Sequence, residues 1–453
     1  MPKLQFPAYL LTLLALLMWS AAPAAAQSVL RDAETEALLH DMATPLIKAA
    51  GLDPANVDMV LVNDNSVNAF VAGGQAVYVN AGLINEADTA EEVQGVIAHE
   101  LGHVTGGHAV LNMGAGQATN ISLLSLLLGA AAAAAGGGEA AMGVIMAGQQ
   151  AAMGKYLAYN RSQEASADAA GAQYLSTAGI SGRGSVEFFK KLQNLEFRYG
   201  YRPKDGDEFY SSHPLTGDRI ATLQDTYEKD PAWDKPADKT IQQRFVRMKA
   251  KLYGYLAEPR NVFRKFPETD NSVPARYARA YAYNRESKLD EARAETNALI
   301  AKDPDDPYFL ELQGQILLES GMPAQALVPL RRATEMTGNQ PLIATLFGHA
   351  LMATEDPTHF KEAEQVLRSA VVRDRENPFA WYQLGTIYAA NGDIPRARLA
   401  SAEQQSLSGN MEAALLSAQA AEAGLPTGSP DWLRAQDIEM QARAELERNK
   451  KRR

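Results

Sequence analysis

The chain contains no cysteine in its 453 residues. That rules out disulfide cross-links and a lipid attached to a cysteine behind a leader. A chain of this length can bury enough core without cross-links. Positive charge is also in short supply: 43 Lys and Arg face 54 Asp and Glu, for a net charge of −11. No basic stripe appears before the closing Arg448–Arg453, which reads as a solvated tail, so a nucleic-acid partner is not expected. Long apolar runs are missing too. None reaches the roughly 20 residues that a membrane-spanning helix needs.

What is present begins with a leader. Lys3 precedes an apolar stretch from Ala8 to Trp19, and Ala24-Ala25-Ala26 offers a small-residue cleavage site before Gln27. This pattern predicts a secretory signal peptide over residues 1–26 and an exported chain, for which the bacterial periplasm is the expected compartment. With hydrophobic residues at 46% and charged residues at 21%, the remainder is globular and long enough for two or three domains.

From Val29 to about Ala50, Leu30, Ala33, Leu38, Leu39, Met42, Leu46 and Ile47 fall on one helical stripe, with Gly51 as its stop. Strand-like sequence follows in "VDMVLVND" and "VNAFVAGGQAVYVNAGLI", with Gly73-Gly74 as the turn. It is the one clear strand region. Asp88-Thr89-Ala90-Glu91-Glu92 then opens a helix with acidic residues in its first turn. Residues 121–153 are rich in Ala and Gly. They hold two apolar runs, 121–135 and 140–148, separated by Gly136-Gly137-Gly138. These read as a pair of buried or partly buried helices; a mobile apolar lid or a membrane-surface contact is the alternative.

The second half repeats. Ala280, Gly314, Gly348 and Gly385 recur at steps of 34, 34 and 37 residues, and Ala292, Ala326, Ala363 and Ala397 at steps of 34, 37 and 34. Pro307, Pro341 and Pro378 keep the same rhythm and are expected to end each unit. A 34-residue helix-turn-helix period is the tetratricopeptide signature. Four units and a capping region are expected, with the three extra residues of the third in its loop "ATEDPTHFK". Such stacks form curved binding surfaces and perform no chemistry themselves.

Chemistry is concentrated in "GVIAHELGHVTGGHAV", residues 95–110. His99 and His103 lie four apart on a predicted helix, so both can reach one zinc ion, and Glu100 beside them is placed to take a proton from a water there. The metzincin template would require His at position 109. That residue is Ala, and His108 falls one short, so His108 reads as a polar residue near the end of the helix. The third ligand is expected from "NRSQEASADAAGAQYL", residues 160–175. There Glu164 can bind the metal, and Asp168, one turn on, can accept the free ring N–H of a ligand histidine, His99 being the expected partner. Asn68-Ala69-Phe70 marks a candidate edge strand to which an extended substrate could add through backbone hydrogen bonds.

H-E-L-G-H, the later E-A-S-A-D and "SSHPLTGDRI" at 211–220 resemble the gluzincin metallopeptidases of the HtpX and CAAX prenyl protease type. Together with the signal peptide, the lack of spanning helices and the repeats, they look most like the BepA-type periplasmic proteases. The resemblance covers nearly the whole mature chain, including "VLRDAETEALL" and the strand region. It implies a mainly α protein in which a zincin-like α+β metallopeptidase domain with a small sheet (27–230) and a helical linker (231–270) precede an α-solenoid of tetratricopeptide repeats (271–447). It implies one zinc per chain and endopeptidase action on unfolded or stalled outer-membrane β-barrel proteins, with the repeats binding substrate or the barrel assembly machinery. It also implies that His213 and Arg219 of the H-P-x-x-x-x-R segment lie near the metal. His213 could cap the open zinc position, His213 or Arg219 could hydrogen-bond the oxyanion, or the segment could be a plain surface loop. A chaperone or adaptor in which proteolysis is secondary is the rival expectation. A purely structural zinc site would have no need of Glu100.

Overall fold

The computed structural model describes residues 29–108, 124–126, 138–199, 213 and 217–452. The expected signal peptide, most of the first apolar run of 121–135, and Pro214 lie outside the described residues. The chain divides into two compact units. One contains residues 29–30 and 43–236, the other residues 31–42 and 237 onward.

The first unit is built on a four-stranded sheet of order β1-β2-β4-β3, with β1 Val29–Leu30, β2 Met59–Val62, β3 Ala69–Ala72 and β4 Ala76–Asn80. Strand β1 runs antiparallel to β2, with Val29 opposite Val62, so the helical stripe does not begin at Val29 as expected. Its two residues are too few to show an alternating pattern in the sequence. Helix α1, Ala33–Ala49, follows. Strands β2 and β4 are parallel, and β3 is the sheet's edge, antiparallel to β4. Gly73 and Gly74 join β3 to β4 at φ 64° and 103°, a backbone that side chains disfavour. The end of the strand-like stretch, Ala81–Glu86, is a short helix, α2.

Helix α3, Ala90–Thr105, starts as the acidic first turn predicts. Thr89 Oγ1 accepts from the Glu92 N–H at 3.2 Å, and Glu92 Oε2 accepts from the Asp88 N–H at 2.9 Å, a variant of the capping box. Lys191 of helix α5, Arg183–Tyr199, donates to Asp88 and Glu92 together and ties the two elements. Helix α4, Gly138–Ala178, runs as one element from the second apolar run through the E-A-S-A-D stretch. That run was expected to be buried or partly so, yet Met142, Val144 and Met146 are exposed. Composition alone assigns no inner face to a segment of Ala, Gly and Met. Helix α3 is buried on nearly every side, with Val93, Val96, Ile97 and Leu101 in a core shared with Leu175, Phe188 and Phe189. Helix α6, Gly217–Glu228, packs against α4 and α5.

The second unit is helical. Helices α7, Lys239–Leu256, and α8, Pro259–Lys265, come from the stretch expected to be a linker, and α7 packs on α9, Val273–Arg285. The pair α9 and Leu289–Lys302 is followed by Pro307–Glu319 with Pro323–Met336, Pro341–Ala353 with Phe360–Arg373, and Pro378–Ala390 with Ile394–Leu407. These are the four expected repeats. A fifth pair, Met411–Gly424 and Pro430–Arg452, packs against the last of them through Leu399, Ala418 and Ile438. The three extra residues form a 3-10 turn, Pro357–His359. Pro307, Pro341 and Pro378 do not end units. Each stands at the first turn of the next helix, behind Asp306, Gln340 and Asn377 as caps, where a missing N–H costs nothing. Gly314 and Gly348 lie against Leu330 and Leu367 of their partner helices, which is why small residues mark the period.

Residues 31–42 pack among these helices. Glu34, 3% exposed, accepts from Arg247 Nε at 2.6 Å and from the Tyr277 hydroxyl at 2.8 Å. Lys251 Nζ lies 2.5 Å from Asp32. No described helix is long and apolar enough to cross a membrane.

A close approach of two helix backbones in the first unit predicts a measurable effect. A Cβ on Gly102 would lie 2.6 Å from the carbonyl oxygen of Ala167. Gly102→Ala must push α3 and α4 apart and should destabilise this unit by roughly 1–3 kcal/mol. The shift in its urea unfolding midpoint measures this. An unchanged midpoint would show that the helices part without cost.

Candidate metal centre

Two helices supply the centre. On α3, the four-residue spacing puts His99 and His103 on one face, with their Nε2 atoms 3.1 Å apart. From α4, Glu164 brings Oε1 to 3.3 Å from His103 Nε2 and Oε2 to 3.4 Å from His99 Nε2. His213 joins from the segment before α6, its Nδ1 3.3 Å from His99 Nε2 and 3.0 Å from Glu164 Oε1. All four side chains are buried, and one donor atom from each lies within 4.8 Å of the others.

The donor set fits a metal. Around a tetrahedral ion with bonds of about 2.0–2.1 Å, donor atoms stand roughly 3.3 Å apart, close to the separations here. Asp168 Oδ1 lies 2.9 Å from His99 Nδ1, so the ring hydrogen belongs on that side and Nε2 turns a lone pair toward His103 Nε2. Lone pairs at that distance repel unless a proton or a metal cation lies between them. Glu100, 1% exposed, has Oε1 without a hydrogen-bond partner among the described residues, 3.6 Å from His213 Nε2. A buried carboxylate oxygen left bare costs free energy, and a nearby cation would offset that cost.

Arg219 on α6 holds the carboxylates in place. Its Nε and Nη2 donate to Asp168 at 2.5 and 2.8 Å, and Nη1 lies 2.8 Å from Glu164 Oε2. Oxyanion contact by His213 or Arg219 was one of the expected alternatives; in this structure the Arg219 fork joins Glu164 to Asp168. The family resemblance implies that Arg219 lies nearby but does not assign its partner, which comes from a different helix.

Electrostatics follow the geometry. Burial raises the Glu100 carboxyl to about 7, against the lowering effect of the two histidines. Burial works against a charged His99, but Asp168 and Glu164 overcome it and lift its pKa to about 9. Burial also acts against ionised Glu164, yet its contacts with His103, His213 and His99 hold it well below the usual carboxylate range. Burial lowers His213.

The candidate edge strand lies beside α3. Asn68 and Ala69 are buried, and the Asn68 carbonyl accepts from the Asn80 N–H at 3.0 Å. Phe70 stacks on Tyr78 with ring centroids 4.9 Å apart. On another side a cleft of about 500 Å³ opens between α4 and α6, lined by Asn160, Glu164, Asp168, Arg219 and Leu223. His108, which the sequence reading left without a role, lies against His103.

Paired histidines, an adjacent glutamate and a carboxylate from a second helix define a metalloendopeptidase. Residues 31–227 match the model of peptidase family M48. The chain is similar to the beta-barrel assembly-enhancing protease of Yersinia pestis, 25% identical over 383 residues, covering 83% of this chain and 76% of that protein. It is also similar to the metalloprotease LoiP of Escherichia coli K12, 31% identical over 182 residues, covering 39% of this chain and 64% of that protein. Among solved structures, the tetratricopeptide protein YrrB, described as having an unusual peptide-binding site, aligns at 20% identity and a TM-score of 0.32. That alignment covers 39% of this chain and 91% of that one.

The raised pKa of His99 sets a pH dependence. Below about 9 the metal-free site holds a proton on His99, and metal binding must displace it. Affinity for a divalent transition metal should therefore rise about tenfold per pH unit through neutrality and level off near pH 9. Chelator competition across pH 6.5–9.5 measures the slope; a flat profile would contradict protonated His99.

Proposed function

We propose that this chain is a zinc-dependent endopeptidase of the periplasm that acts on unfolded or misassembled outer-membrane β-barrel proteins. The observation that carries the reading is the buried group His99, His103, Glu164 and His213 with Glu100 beside it. An N/O donor set with tetrahedral spacing suits one zinc per chain. The similarity to the beta-barrel assembly-enhancing protease over 83% of this chain supports the substrate class, and the leader pattern of residues 1–26 supports the compartment.

Bound zinc supplies a Lewis acid for the scissile carbonyl and acidifies water. His99, His103 and Glu164 hold it, Asp168 orients His99, and Arg219 keeps Asp168 and Glu164 in register. Glu100, poised near neutrality, takes the proton of the attacking water and delivers it to the leaving amine. Strand β3, with Ala69 and Phe70 and with Asn68 just before it, gives an extended substrate a backbone edge to join without reading its side chains. That suits clients defined by being unfolded. In this division of labour residues 27–230 cut, residues 231–270 form a helical connection, and the repeats of 271–447 select the client or engage the barrel assembly machinery. The exposed Met142, Val144 and Met146 offer a place for an apolar client or for peripheral membrane contact.

Glu100→Gln leaves the ligands untouched. It should keep zinc and lose cleavage of an unfolded barrel precursor by about 10²–10⁴-fold. Full loss of cleavage with undiminished precursor binding and assembly support would favour the chaperone or adaptor reading. Full retention of cleavage would remove Glu100 from the reaction.

His213 closes the resting site in this reading. A fourth protein ligand leaves no position for the attacking water, and the distances of 3.0–3.3 Å from His213 Nδ1 to Glu164 and His99 support a ligand role. His213→Ala should raise cleavage or self-cleavage while zinc stays bound. A fall in activity at unchanged zinc content would instead make His213 a transition-state donor.

A further inference from the structure

Helix α3 ends three residues after Gly102, and the way it ends brings another imidazole to the metal ligand His103. Gly106 is the last cap residue, and Gly107 adopts φ 65°. The Gly107 N–H donates to the Val104 carbonyl at 3.0 Å, and the His108 N–H donates to the His103 carbonyl at 3.0 Å. This pair of bonds is the Schellman motif. In it the residue just past the turn folds back over the residue five places earlier, usually as an apolar contact. Here both of those residues are histidines. The rings meet edge to face with centroids 4.9 Å apart, and His108 Nδ1 lies 2.9 Å from His103 Nδ1. Gly106 makes room for this: a Cβ there would lie 2.4 Å from His108 Nε2.

The hydrogen bonds around His108 fix which nitrogen carries each proton. Ser166 on α4 donates its hydroxyl hydrogen to the Gln163 carbonyl at 2.8 Å, the usual side-chain bond of a serine within a helix. That hydroxyl therefore faces His108 Nε2, 3.3 Å away, as an acceptor. Nε2 of His108 then bears the hydrogen, and its Nδ1 is a bare acceptor. His103 must donate from Nδ1 and turn an unprotonated Nε2 toward His99, Glu164 and the metal.

We infer that His108 is a positioning residue which, through the chain Ser166–His108–His103, holds His103 in its metal-binding tautomer and orientation. Asp168 does the corresponding work for His99. The two ligand histidines thus lean on different supports, an anion for one and a neutral ring for the other. The signal is legible as G-G-H directly after the helix, with the second motif histidine five residues before the third. No third metal ligand is needed to explain it.

The inference rests on His103 being a ligand, and the test separates the two. On the full chain, zinc is titrated against a competing chelator. His108→Leu keeps an apolar contact at the turn and removes the acceptor; it should retain the thermal midpoint of the metal-free protein and weaken zinc binding about 10–100-fold. His108→Asn puts an amide oxygen near the position of Nδ1 and should restore most of that loss. Nitrogen-15 spectra of the zinc-loaded protein should show His108 protonated at Nε2 alone. Equal zinc affinity in wild type and His108→Leu would overturn the role of His108 and leave the ligand assignment standing. Equal losses in the Leu and Asn variants, or a proton on His108 Nδ1, would overturn it as well. Absence of zinc binding by the wild-type chain would overturn the ligand assignment and this inference with it.

Discussion

Two carboxylates one turn apart on α4 face two imidazoles one turn apart on α3, and the rest of the first unit depends on that register. Glu164 and Asp168 are both buried. Ionised groups in that position are costly unless each finds opposite charge or donors. They find them in His99, His103 and the fork of Arg219. A slip of one residue along either helix would turn a carboxylate away from its partner. The small residues at the crossing, Gly102 against Ala167 and Gly171 against Ala98, bring the backbones close enough that such a slip is sterically opposed.

The second unit solves a similar problem with different means. Glu34, Arg247, Lys251, Asp32 and Tyr277 form a buried polar group in which each charge has a partner. The repeats could pack through Ala, Gly and Leu alone, and mostly do. The ionic group specifies which segment lies against their first helices. Apolar contacts such as Ala33 with Leu310 and Ile343 supply area there, but they would accept many sequences. A buried group with a fixed pairing pattern would not.

How much of this was legible in the sequence follows from the range of each signal. Spacing of four on a helix is local, so His99 with His103 and Glu164 with Asp168 could be read as pairs before any fold was known. The repeat period is local as well, and the four helix pairs came out at the expected places. The prolines show the limit of that reading. Their rhythm was visible, but whether a proline closes one helix or opens the next depends on the cap before it, and Asp306 and Asn377 decide for opening. Strand β1 was missed because two residues carry no period. The fate of the apolar run at 140–148 was missed because Ala, Gly and Met define no stripe. Arg219 was expected near the metal with several roles open. Its attachment to Asp168 joins residues 51 apart in sequence, and no pattern in either segment announces the other.

The Arg219 clamp also couples the metal ligands to the docking of a helix that carries none of them. With α6 in place, Glu164 and Asp168 share one guanidinium and the site is electrically close to balanced. Were α6 to move away, two buried carboxylates would face two histidines alone, and a proton or a metal would have to supply the missing charge. Arg219 rests over the Phe189 ring, with the guanidinium 5.6 Å from its centroid, so the same side chain is held by the core through α5. His213 lies six residues before Arg219, on the segment that leads into α6. Any displacement of α6 that loosened Arg219 would therefore also draw on His213. Arg219, which supports Glu164 and Asp168, and His213, which contacts Glu164, are carried by one short stretch of sequence, and a disturbance there would act on both together.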